Sequence, residues 1–583
     1  MTIEQVAVRF AAVVAILGGF SACDAAAQSE RISYPLTEAS KFHEGTPRGR
    51  IEGPFEHRSE VFPGTVRQYW IYVPEQYKAD KPACLLVLQD GLGLAKNWHV
   101  PEVLDNLIHE GEMPVTLGLF IDHGRVEPAR EGGRPRFNRS FEYDSMTDRY
   151  AAMLVDEVLP EVAKRYRFSD DPNDRMIAGA SSGAICALAA AWSRPDEFRR
   201  VYSAIGTYVG LRGGDEFSTL VRKCEPKPLR VFLQDGSRDL DLYAGGWWPA
   251  NQQMFAALEW AGYDVGHAWG EGGHDAEHAA AVLPEAMRWL WRDYPQPIER
   301  GLGPARRIEV VTPGSDWELV SEGHGFCEGP AISPGGELFF SDLRTDRIYR
   351  VKNDGKVEIF AEETGAANGL MFGGDGTLYA CADKLKRIVA YDAQGNVRTL
   401  CENVRSNDLV VVEKGVYFTD PSESVVRFVD WDGRQRVVAK DLAFPNGIAV
   451  SPDRAFLYVA EMRGRTVSAF RIEQDDELSS REPLYALHLS PEKSATDADG
   501  MTVDENGNLY VTTDAGLQIC DPLGRVNLIL AKPDRDWLSN VVFGGSDMST
   551  LYVTCGGKVY RRQVKTKGFE PWSTPVTPPR PGL

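Results

Sequence analysis

Hydrophobic and polar positions in the first half of the chain alternate between short apolar runs and longer helical patterns. The strand-like runs lie at 68–73, 84–88, 115–121, 175–178 and 229–233. Helix-like stretches such as 150–165 and 184–193 lie between them. Alternation of strands and helices is typical of a largely parallel sheet covered by helices. We therefore expect an α/β architecture from about residue 53 to residue 291.

The second half repeats a different pattern, in which a short polar side chain opens an apolar strand and an aromatic residue follows 10 to 12 positions later. Successive openers are 39 to 53 residues apart. The six openers are Glu328, Asn368, Asn407, Asn446, Asp499 and Asn540. A period of about 40 residues with several strands per unit indicates a β-propeller. Six units predict six blades.

The N-terminus predicts export. Arg9 precedes an apolar stretch at 11–20, which is typical of a secretory signal and too short for a good membrane-spanning helix. Cleavage after Ala27 gives a periplasmic or secreted protein, whereas cleavage before Cys23 leaves a lipid-anchored cysteine, because residues 20–23 resemble a bacterial lipobox with Phe in place of Leu. The expected order is a signal peptide at 1–27, an α/β domain at 28–293, a linker at 294–314 and a propeller at 315–583.

Composition narrows the class of protein. Of 583 residues, 25% are charged and 43% hydrophobic, which is globular composition. The net charge is −20 without a basic run, and this argues against nucleic-acid binding. The nine cysteines form no CxxC pair, so the sequence indicates neither a zinc site nor a dense disulfide framework. No other apolar run is long enough to span a membrane.

A G-x-S-x-G motif at 179–183 marks a candidate nucleophile, Ser181. The motif follows a predicted strand and precedes a predicted helix, the context that exposes a serine oxygen above a sheet. The amide of Ser182 is expected to supply one oxyanion donor, and the turn at 89–91, ending in Gly91, a second. Trp98, Trp247 and Trp248 are either a stacking wall for substrate or core residues.

The other members of a catalytic triad are expected downstream of the serine, the acid before the histidine. The segment at 233–241 follows a strand, and the segment at 271–275 follows a later polar turn. These segments predict Asp239 as the orienting acid and His274 as the general base. Two sets of alternatives remain open at this point: Asp235 and Asp241 for the acid, and His267 and His278 for the base.

The opening side chains of the propeller repeat predict a cation site. Equivalent positions in successive blades form a ring about the central channel, and all six openers carry oxygen. Oxygen atoms are the ligands that hard divalent cations prefer. The alternative is that Asn-Gly and Asp-Gly pairs are ordinary turns. The common register favours ligation by three or four of them.

The second half resembles the gluconolactonase, regucalcin and senescence-marker family of six-bladed lactonases. The similar segments are CEGPAISPGGELFFSD (327–342), RSNDLVVVEKGVYFTDP (405–421), PNGIAVSPD (445–453) and DGMTVDENGNLYVT (499–512). The resemblance implies that Glu328, Asn446 and Asp499 hold a divalent cation, calcium first and Zn, Mn or Mg as alternatives. It implies that Asn407 lines the same site and that Arg405 reaches the substrate. Asn368 and Asn540 have no ligand role by this resemblance and are expected in turns.

The first half resembles the enterochelin-esterase and carbohydrate-esterase branch of the α/β-hydrolases. The similar segments are VLQDGLG (87–93), NRSFEYD (138–144), DEVLPEVAKRY (156–166), IAGASSGA (177–184) and EGGHD (271–275). This family often has a second glycine after the motif, where this chain has Ala184. The resemblance implies hydrolysis of carboxylic esters, with substrates that range from siderophores to acylated polysaccharide.

Together these features predict an exported hydrolase with a serine esterase domain and a metal-dependent lactonase propeller, acting on small-molecule or carbohydrate esters and lactones. Asp499, beside both metal and water, is then the candidate general base for lactone hydrolysis. Two alternatives remain. In one, the propeller is a metal-stiffened binding module that presents substrate to an active esterase. In the other, the chain is a non-catalytic surface protein.

Overall fold

The computed structural model describes residues 32–302, 310–491, 493–570 and 573–581. The predicted signal peptide at 1–27, with both cleavage alternatives and Cys23, lies outside the described residues, and so does 303–309 of the predicted linker. Within the described ranges, no helix combines the length and apolar character needed to cross a bilayer. Within these ranges, Cys84, Cys186, Cys327, Cys381, Cys401, Cys520 and Cys555 form no disulfide bond with one another.

A ten-stranded mixed sheet organises the first half. Its strands are β1 Arg50–Arg58, β2 Val66–Val73, β3 Cys84–Gln89, β4 Thr116–Ile121, β5 Arg125–Val126, β6 Arg136–Phe137, β7 Arg175–Ala180, β8 Arg200–Ala204, β9 Arg230–Gly236 and β12 Asp264–Gly270. In space, the strand order is β12-β9-β8-β7-β3-β4-β2-β5-β6, with β1 paired to β2. A separate hairpin pairs two further strands, β10 Asp241–Leu242 and β11 Gly245–Gly246. The sheet confirms the α/β-hydrolase fold class.

The central strands are parallel and the strands at one end are antiparallel. Strands β4, β3, β7, β8, β9 and β12 pair in parallel, whereas β2 pairs antiparallel with β1, β4 and β5. Every residue of β3, β4 and β9 is buried, because helices cover both faces of the sheet. Such strands are continuous apolar runs, which is why the sequence revealed them.

The α-helices of this half range from one turn to about four turns. They span Gly91–Asn97, Val100–Glu110, Arg139–Tyr143, Arg149–Ala152, Leu159–Ala163, Ser182–Ser193, Phe217–Lys223, Trp247–Ala261 and Ala276–Trp291. A π-helical stretch, Met153–Val158, joins two of them, so the predicted helix at 150–165 is continuous but not uniformly α-helical. Ser182–Ser193 is buried along almost its whole length, directly behind Ser181.

Six four-stranded antiparallel sheets form the second half and confirm the six-bladed β-propeller. The innermost strands are β14 Cys327–Ile332, β18 Ala367–Phe372, β22 Leu409–Val412, β26 Pro445–Val450, β30 Met501–Val503 and β34 Leu538–Gly544. Each innermost strand contacts those of the neighbouring blades, so the six form a ring.

The outer strands complete the blades in sequence order. The second strands are β15 Leu338–Asp342, β19 Leu378–Ala382, β23 Gly415–Asp420, β27 Phe456–Glu461, β31 Leu509–Thr513 and β35 Thr550–Cys555. The third and fourth are β16 Arg347–Val351, β17 Val357–Glu362, β20 Arg387–Tyr391, β21 Val397–Glu402, β24 Val425–Asp430, β25 Gln435–Ala439, β28 Thr466–Ile472, β29 Leu478–Ala486, β32 Gly516–Cys520, β33 Val526–Leu530 and β36 Lys558–Gln563. The last blade takes its outer strand, β13 Glu318–Ser321, from the start of the propeller, which closes the ring.

The repeated aromatic residues pack the blades against each other. All six lie on second strands, and in five blades the aromatic residue pairs with the residue three positions after the opener, whereas in the last blade it pairs with the residue two positions after Asn540. They are Phe339, Tyr379, Tyr417, Tyr458, Tyr510 and Tyr552. The first five are buried, and Phe339 and Tyr510 each make an edge-to-face contact with a phenylalanine of the next blade. The sequence period therefore reflects a packing requirement between blades.

The two halves meet through a buried ion pair. Arg562 on β36 donates two hydrogen bonds, of 2.9 and 2.6 Å, to the carboxylate of Glu225, which follows the helix Phe217–Lys223. The two side chains are 1% and 9% exposed. Lys223 contacts His488 at 2.8 Å, and Cys224 forms a β-bridge with Ile529. Fixed polar contacts therefore hold the propeller against the α/β half.

Replacing Glu225 by Ala is expected to destabilise the protein by about 3–5 kcal/mol, because the charge of Arg562 stays buried without its partner. The adjacent exposed pair, Arg561 with Glu318, supplies the matched control, since Glu318→Ala is expected to cost at most about 1 kcal/mol. Chemical denaturation of both variants measures the difference. Equal losses of unfolding free energy would contradict a buried pair at this interface.

Candidate functional site

Ser181 stands on a sharp turn between β7 and the helix Ser182–Ser193. Its backbone has φ 58° and ψ −122°, a strained conformation for a residue with a side chain. The Ser181 N–H donates to the carbonyl of Ala204 at 3.0 Å, which fixes the turn to β8. The flanking glycines are required by close packing, because a Cβ on Gly179 would lie 2.3 Å from the carbonyl oxygen of Gly183. The predicted strand–turn–helix context is therefore present.

The structure brings Ser181, His274 and Asp239 together at the carboxyl ends of the parallel strands. His274 Nε2 lies 2.9 Å from Ser181 Oγ, and His274 Nδ1 lies 2.6 Å from Asp239 Oδ1. Asp239 comes from the loop after β9, with its side chain fully buried. Since a carboxylate only accepts, Nδ1 carries the proton and Nε2 is free to accept the hydrogen of the serine hydroxyl.

His274 lies just before the helix Ala276–Trp291. Asp275 begins that helix as its N-cap, because its side chain accepts the N–H of Glu277 at 2.9 Å. The last two residues of the segment at 271–275 therefore have different roles: His274 faces the serine, and Asp275 caps the helix that follows.

Two residues that sequence reasoning did not single out in this role complete the surroundings of the serine. Thr207 Oγ1 lies 3.2 Å from Ser181 Oγ and accepts the indole N–H of Trp247 at 3.2 Å. The ring of Trp247 meets His274 edge to face, with centroids 5.8 Å apart. Trp247 therefore packs behind His274 and Thr207 with only 3% of its surface exposed, and Trp98 is fully buried against Tyr202, so both are core residues.

An ion pair fixes the turn that follows β3. Arg139 donates two hydrogen bonds to the Asp90 carboxylate, at 2.7 and 2.8 Å, and one to the carbonyl of Ala180 at 3.3 Å. Gly91 follows with φ +60°, and a Cβ there would lie 2.0 Å from a carboxylate oxygen of Asp122. Ser182 begins its helix, where amide hydrogens have no acceptor within the helix. The segments that carry Gly91 and Ser182 are thus locked next to each other.

The alternative triad residues lie elsewhere. His267 is exposed and stacks on Trp269, and His278 is buried and contacts Gln234 at 2.7 Å. Burial lowers the pKa of His278. Asp241 is exposed on β10. Asp235, in contrast, is fully buried beside Asp239.

Carboxyl and amide side chains converge inside the propeller ring. The Asn540 amide donates to Glu328 Oε2 at 3.3 Å and to Asp408 Oδ2 at 3.4 Å. Trp537 donates its indole N–H to Asp499 Oδ2 at 2.7 Å. Asn446 lies close enough to Asp499 to lower the pKa of that carboxyl, its Nδ2 lies 3.6 Å from Met462 Sδ, and its Oδ1 is buried with no hydrogen-bond partner among the described residues. Glu328, Asn446 and Asp499 therefore lie in one buried polar cluster.

The pKa values of the carboxyl groups in this cluster are raised strongly. Burial raises the pKa of Glu328 well above its ordinary value, and the charges of Asp499 and Asp408 raise it further. Burial also raises the pKa of Asp408 and that of Asp499 to about 7. Three carboxyl groups buried together need either protons or a cation to compensate their charge.

The predicted ligand residues suit a hard divalent cation in their chemistry. Glu328 and Asp499 supply carboxylates, and the unpartnered carbonyl oxygen of Asn446 is a further oxygen ligand. In the described ranges, no group of three or more His, Cys, Asp and Glu side chains is spaced to hold a metal ion. The predicted ligand set differs from such a group, because it combines only two carboxylates with the amide oxygens of asparagine side chains.

The remaining predicted residues are placed differently. Asn407 is half-buried directly before β22, and its neighbour Asp408, which the sequence analysis passed over, is the residue that enters the cluster. Arg405 is half-exposed and makes two hydrogen bonds, of 2.7 and 2.6 Å, with Asp383. Trp537, with Arg344, Asp536 and Lys558, also lines a surface cleft.

The expectation of turns at Asn368 and Asn540 was wrong. Both residues lie in innermost strands, β18 and β34, and Asn540 is buried in the cluster. The glycines of the Asn-Gly and Asp-Gly pairs allow neighbouring blades to approach closely. A Cβ on Gly500 would lie 2.0 Å from Asn540 Oδ1, and a Cβ on Gly369 would lie 2.3 Å from Asp408 Oδ1. Side chains of the next blade occupy that space.

Comparison with known families matches each half separately. Residues 60–284 match the esterase family described as "Putative esterase", and residues 326–557 match the SMP-30/Gluconolactonase/LRE-like region. Both resemblances stated from the sequence motifs are confirmed.

Individual relatives repeat this division. The gluconolactonase of Zymomonas mobilis subsp. mobilis is 27% identical over 303 residues, 45% of this chain and 84% of that protein. The iron(III) enterobactin esterase of Dickeya dadantii is 29% identical over 252 residues, 40% of this chain and 54% of that protein. The chain thus spans about half the length of that esterase. A gluconolactonase structure from Xanthomonas campestris is 24% identical in sequence. The matched region covers 46% of this chain and 99% of that chain, with a TM-score of 0.39.

Proposed function

We propose that this protein is an exported hydrolase in which a serine esterase and a metal-dependent sugar-lactone hydrolase share one chain. The observation that carries the esterase half is the continuous contact from Asp239 through His274 to Ser181. Its order along the chain, serine, then acid, then histidine, is that of α/β-hydrolases. The separate family matches of the two halves support an ester hydrolase in the first half and a lactonase in the second, and joint action on carbohydrate-derived esters and lactones is part of the proposal.

In the esterase reaction, Ser181 Oγ attacks the ester carbonyl while His274 Nε2 takes its proton. Asp239 keeps the imidazole oriented and stabilises the positive charge that forms on it. The backbone N–H of Ser182, with that of Gly91, stabilises the oxyanion of the tetrahedral intermediate. His274 then returns the proton to the leaving alcohol, and water releases the acyl group by the same steps. Trp247, buried beside His274, supports the imidazole from within the domain.

In the propeller, Glu328, Asn446 and Asp499 would hold a divalent cation, calcium first, with Asn407 beside it. A cation bound there would supply Lewis-acid stabilisation of negative charge on a lactone oxygen. Asp499 is the group that takes the proton of the attacking water, and the indole N–H of Trp537 holds its Oδ2 in place. Arg405 would reach the substrate after leaving Asp383. Asp408 and Asn540 complete the polar lining.

Replacing Ser181 by Ala is expected to lower aryl-ester hydrolysis about a thousandfold or more and to abolish labelling by a fluorophosphonate probe, since the nucleophile is lost. Ser193→Ala, at the far end of the same helix, is the matched control and retains both signals. Steady-state kinetics and probe labelling measure the two effects. A wild-type protein that the probe does not label would instead support the non-catalytic alternative.

Replacing Asp499 by Ala, or removing divalent cations with a chelator, is expected to abolish sugar-lactone hydrolysis and to leave aryl-ester hydrolysis intact. The reason is that the two reactions use separate groups. Asp354→Ala, at an exposed turn of the first blade, is the control. A parallel assay of both substrates decides the matter. Lactone turnover that survives in Asp499→Ala contradicts the assignment, and no lactone turnover at any metal concentration makes the propeller a binding module.

A further inference from the structure

A second buried carboxyl group lies behind the acid of the esterase site. Asp235 is at the end of β9, and its side chain has no solvent exposure. Its Oδ1 accepts the N–H of Gly236 at 2.7 Å. Its Oδ2 is buried and has no hydrogen-bond partner among the residues that the structure describes.

Asp239 presents a matching oxygen. Its Oδ1 already faces two donors, His274 Nδ1–H and the backbone N–H of Leu240, each at 2.6 Å. Its Oδ2 is also buried and, within the described ranges, has no donor. The two residues are joined by a tight turn, in which the Asp239 N–H donates to the carbonyl of Gly236 at 3.0 Å, and the Asp239 carboxylate raises the pKa of Asp235. Two unpartnered oxygens therefore belong to neighbouring carboxyl groups.

One proton satisfies both oxygens. A buried oxygen without a donor costs free energy, and two adjacent buried carboxylates repel each other. A hydrogen on one carboxyl, donated to the other, removes both costs at once. Asp239 is the ionised member, because its Oδ1 accepts from His274 and Leu240 and so stabilises the anion.

We propose that Asp235 is a neutral carboxylic acid that donates a hydrogen bond from Oδ2 to Oδ2 of Asp239 and so positions the Asp239 carboxylate against His274. The inference rests on the proposed esterase function. Asp235 is a positioning residue that acts through Asp239. This bond and the hydrogen bond from the N–H of Leu240 together hold the Asp239 carboxylate in its orientation.

The surroundings of Asp235 favour this protonation state. Burial raises the pKa of Asp235 well above its usual range, and the hydrogen bond and charge of Asp239 raise it further. Asn251 faces Asp235 from the helix Trp247–Ala261, and Trp269 pairs with it from β12. Neither is charged. Among the groups described, Asp239 is thus the charged neighbour, with His274 beyond it.

The protonation state gives the site a pH dependence of known sign. A group with a raised pKa is neutral below that pKa and becomes charged as the pH rises through it. Ionised Asp235 would repel Asp239 and weaken its hold on His274. The turnover number is therefore expected to decline at alkaline pH through loss of the Asp235 proton.

The test compares Asp235→Asn and Asp235→Ala, with Asp241→Asn at the exposed position of β10 as control. The amide introduced by Asp235→Asn donates to Asp239 at every pH, and an alanine donates nothing. Asp235→Ala is expected to lower kcat about tenfold to a hundredfold with little change in KM. Asp235→Asn is expected to recover most of that loss and to lack the alkaline decline. Thermal melting confirms that the variants are folded.

Infrared spectroscopy supplies a readout that does not require activity. The difference spectrum of wild type minus Asp235→Asn at neutral pH is expected to contain the C=O band of a protonated carboxylic acid, which disappears as the pH is raised. Absence of this band overturns the proposal, as does an unchanged alkaline decline in Asp235→Asn. A band in a protein without esterase activity would support the shared proton while refuting the proposed function.

Discussion

The cost of burying a carboxyl group shapes both sites. Asp239 is removed from solvent behind His274, and Glu328, Asp408 and Asp499 are removed from solvent inside the propeller ring. Each needs a compensating donor, proton or cation, because an isolated buried charge is unstable. In the esterase the compensation is an imidazole and a backbone amide. In the propeller, amide and indole N–H groups donate to the carboxyl groups, and the oxygen atoms of the cluster also suit a bound cation.

Both sites also depend on frameworks that hold groups from distant segments. In the first half, the loops after β7 and β9 meet because parallel strands end at one edge of the sheet, which places Ser181 beside Asp239. In the second, five of the six blades contribute a side chain to the cluster, so Glu328 and Asn540, at opposite ends of the propeller sequence, become neighbours. Closure of the ring by β13 keeps that geometry fixed.

Much of this was visible in the sequence, for physical reasons. Central strands such as β3 were continuous apolar runs, and the aromatic period followed from packing between blades. It was harder to predict which residue of a short segment belongs to the site. The segment 233–241 limited the triad acid to Asp235, Asp239 or Asp241, but only the fold shows which one faces His274. Asp408 was hidden because its neighbour Asn407 shared the repeated pattern, and Arg139 because its partner Asp90 lies on another segment.

A calorimetric titration of chelator-treated protein with calcium, in buffers of different ionisation enthalpy, tests the central constraint most directly. Burial raises the pKa of Glu328 well above its ordinary value and the pKa of Asp408 and of Asp499 to about 7, so the cluster holds protons at neutral pH when no cation is bound, the two aspartates in part. The account predicts saturable binding accompanied by proton release, both lost in Glu328→Gln. Absence of binding, or binding that releases no protons, would contradict it.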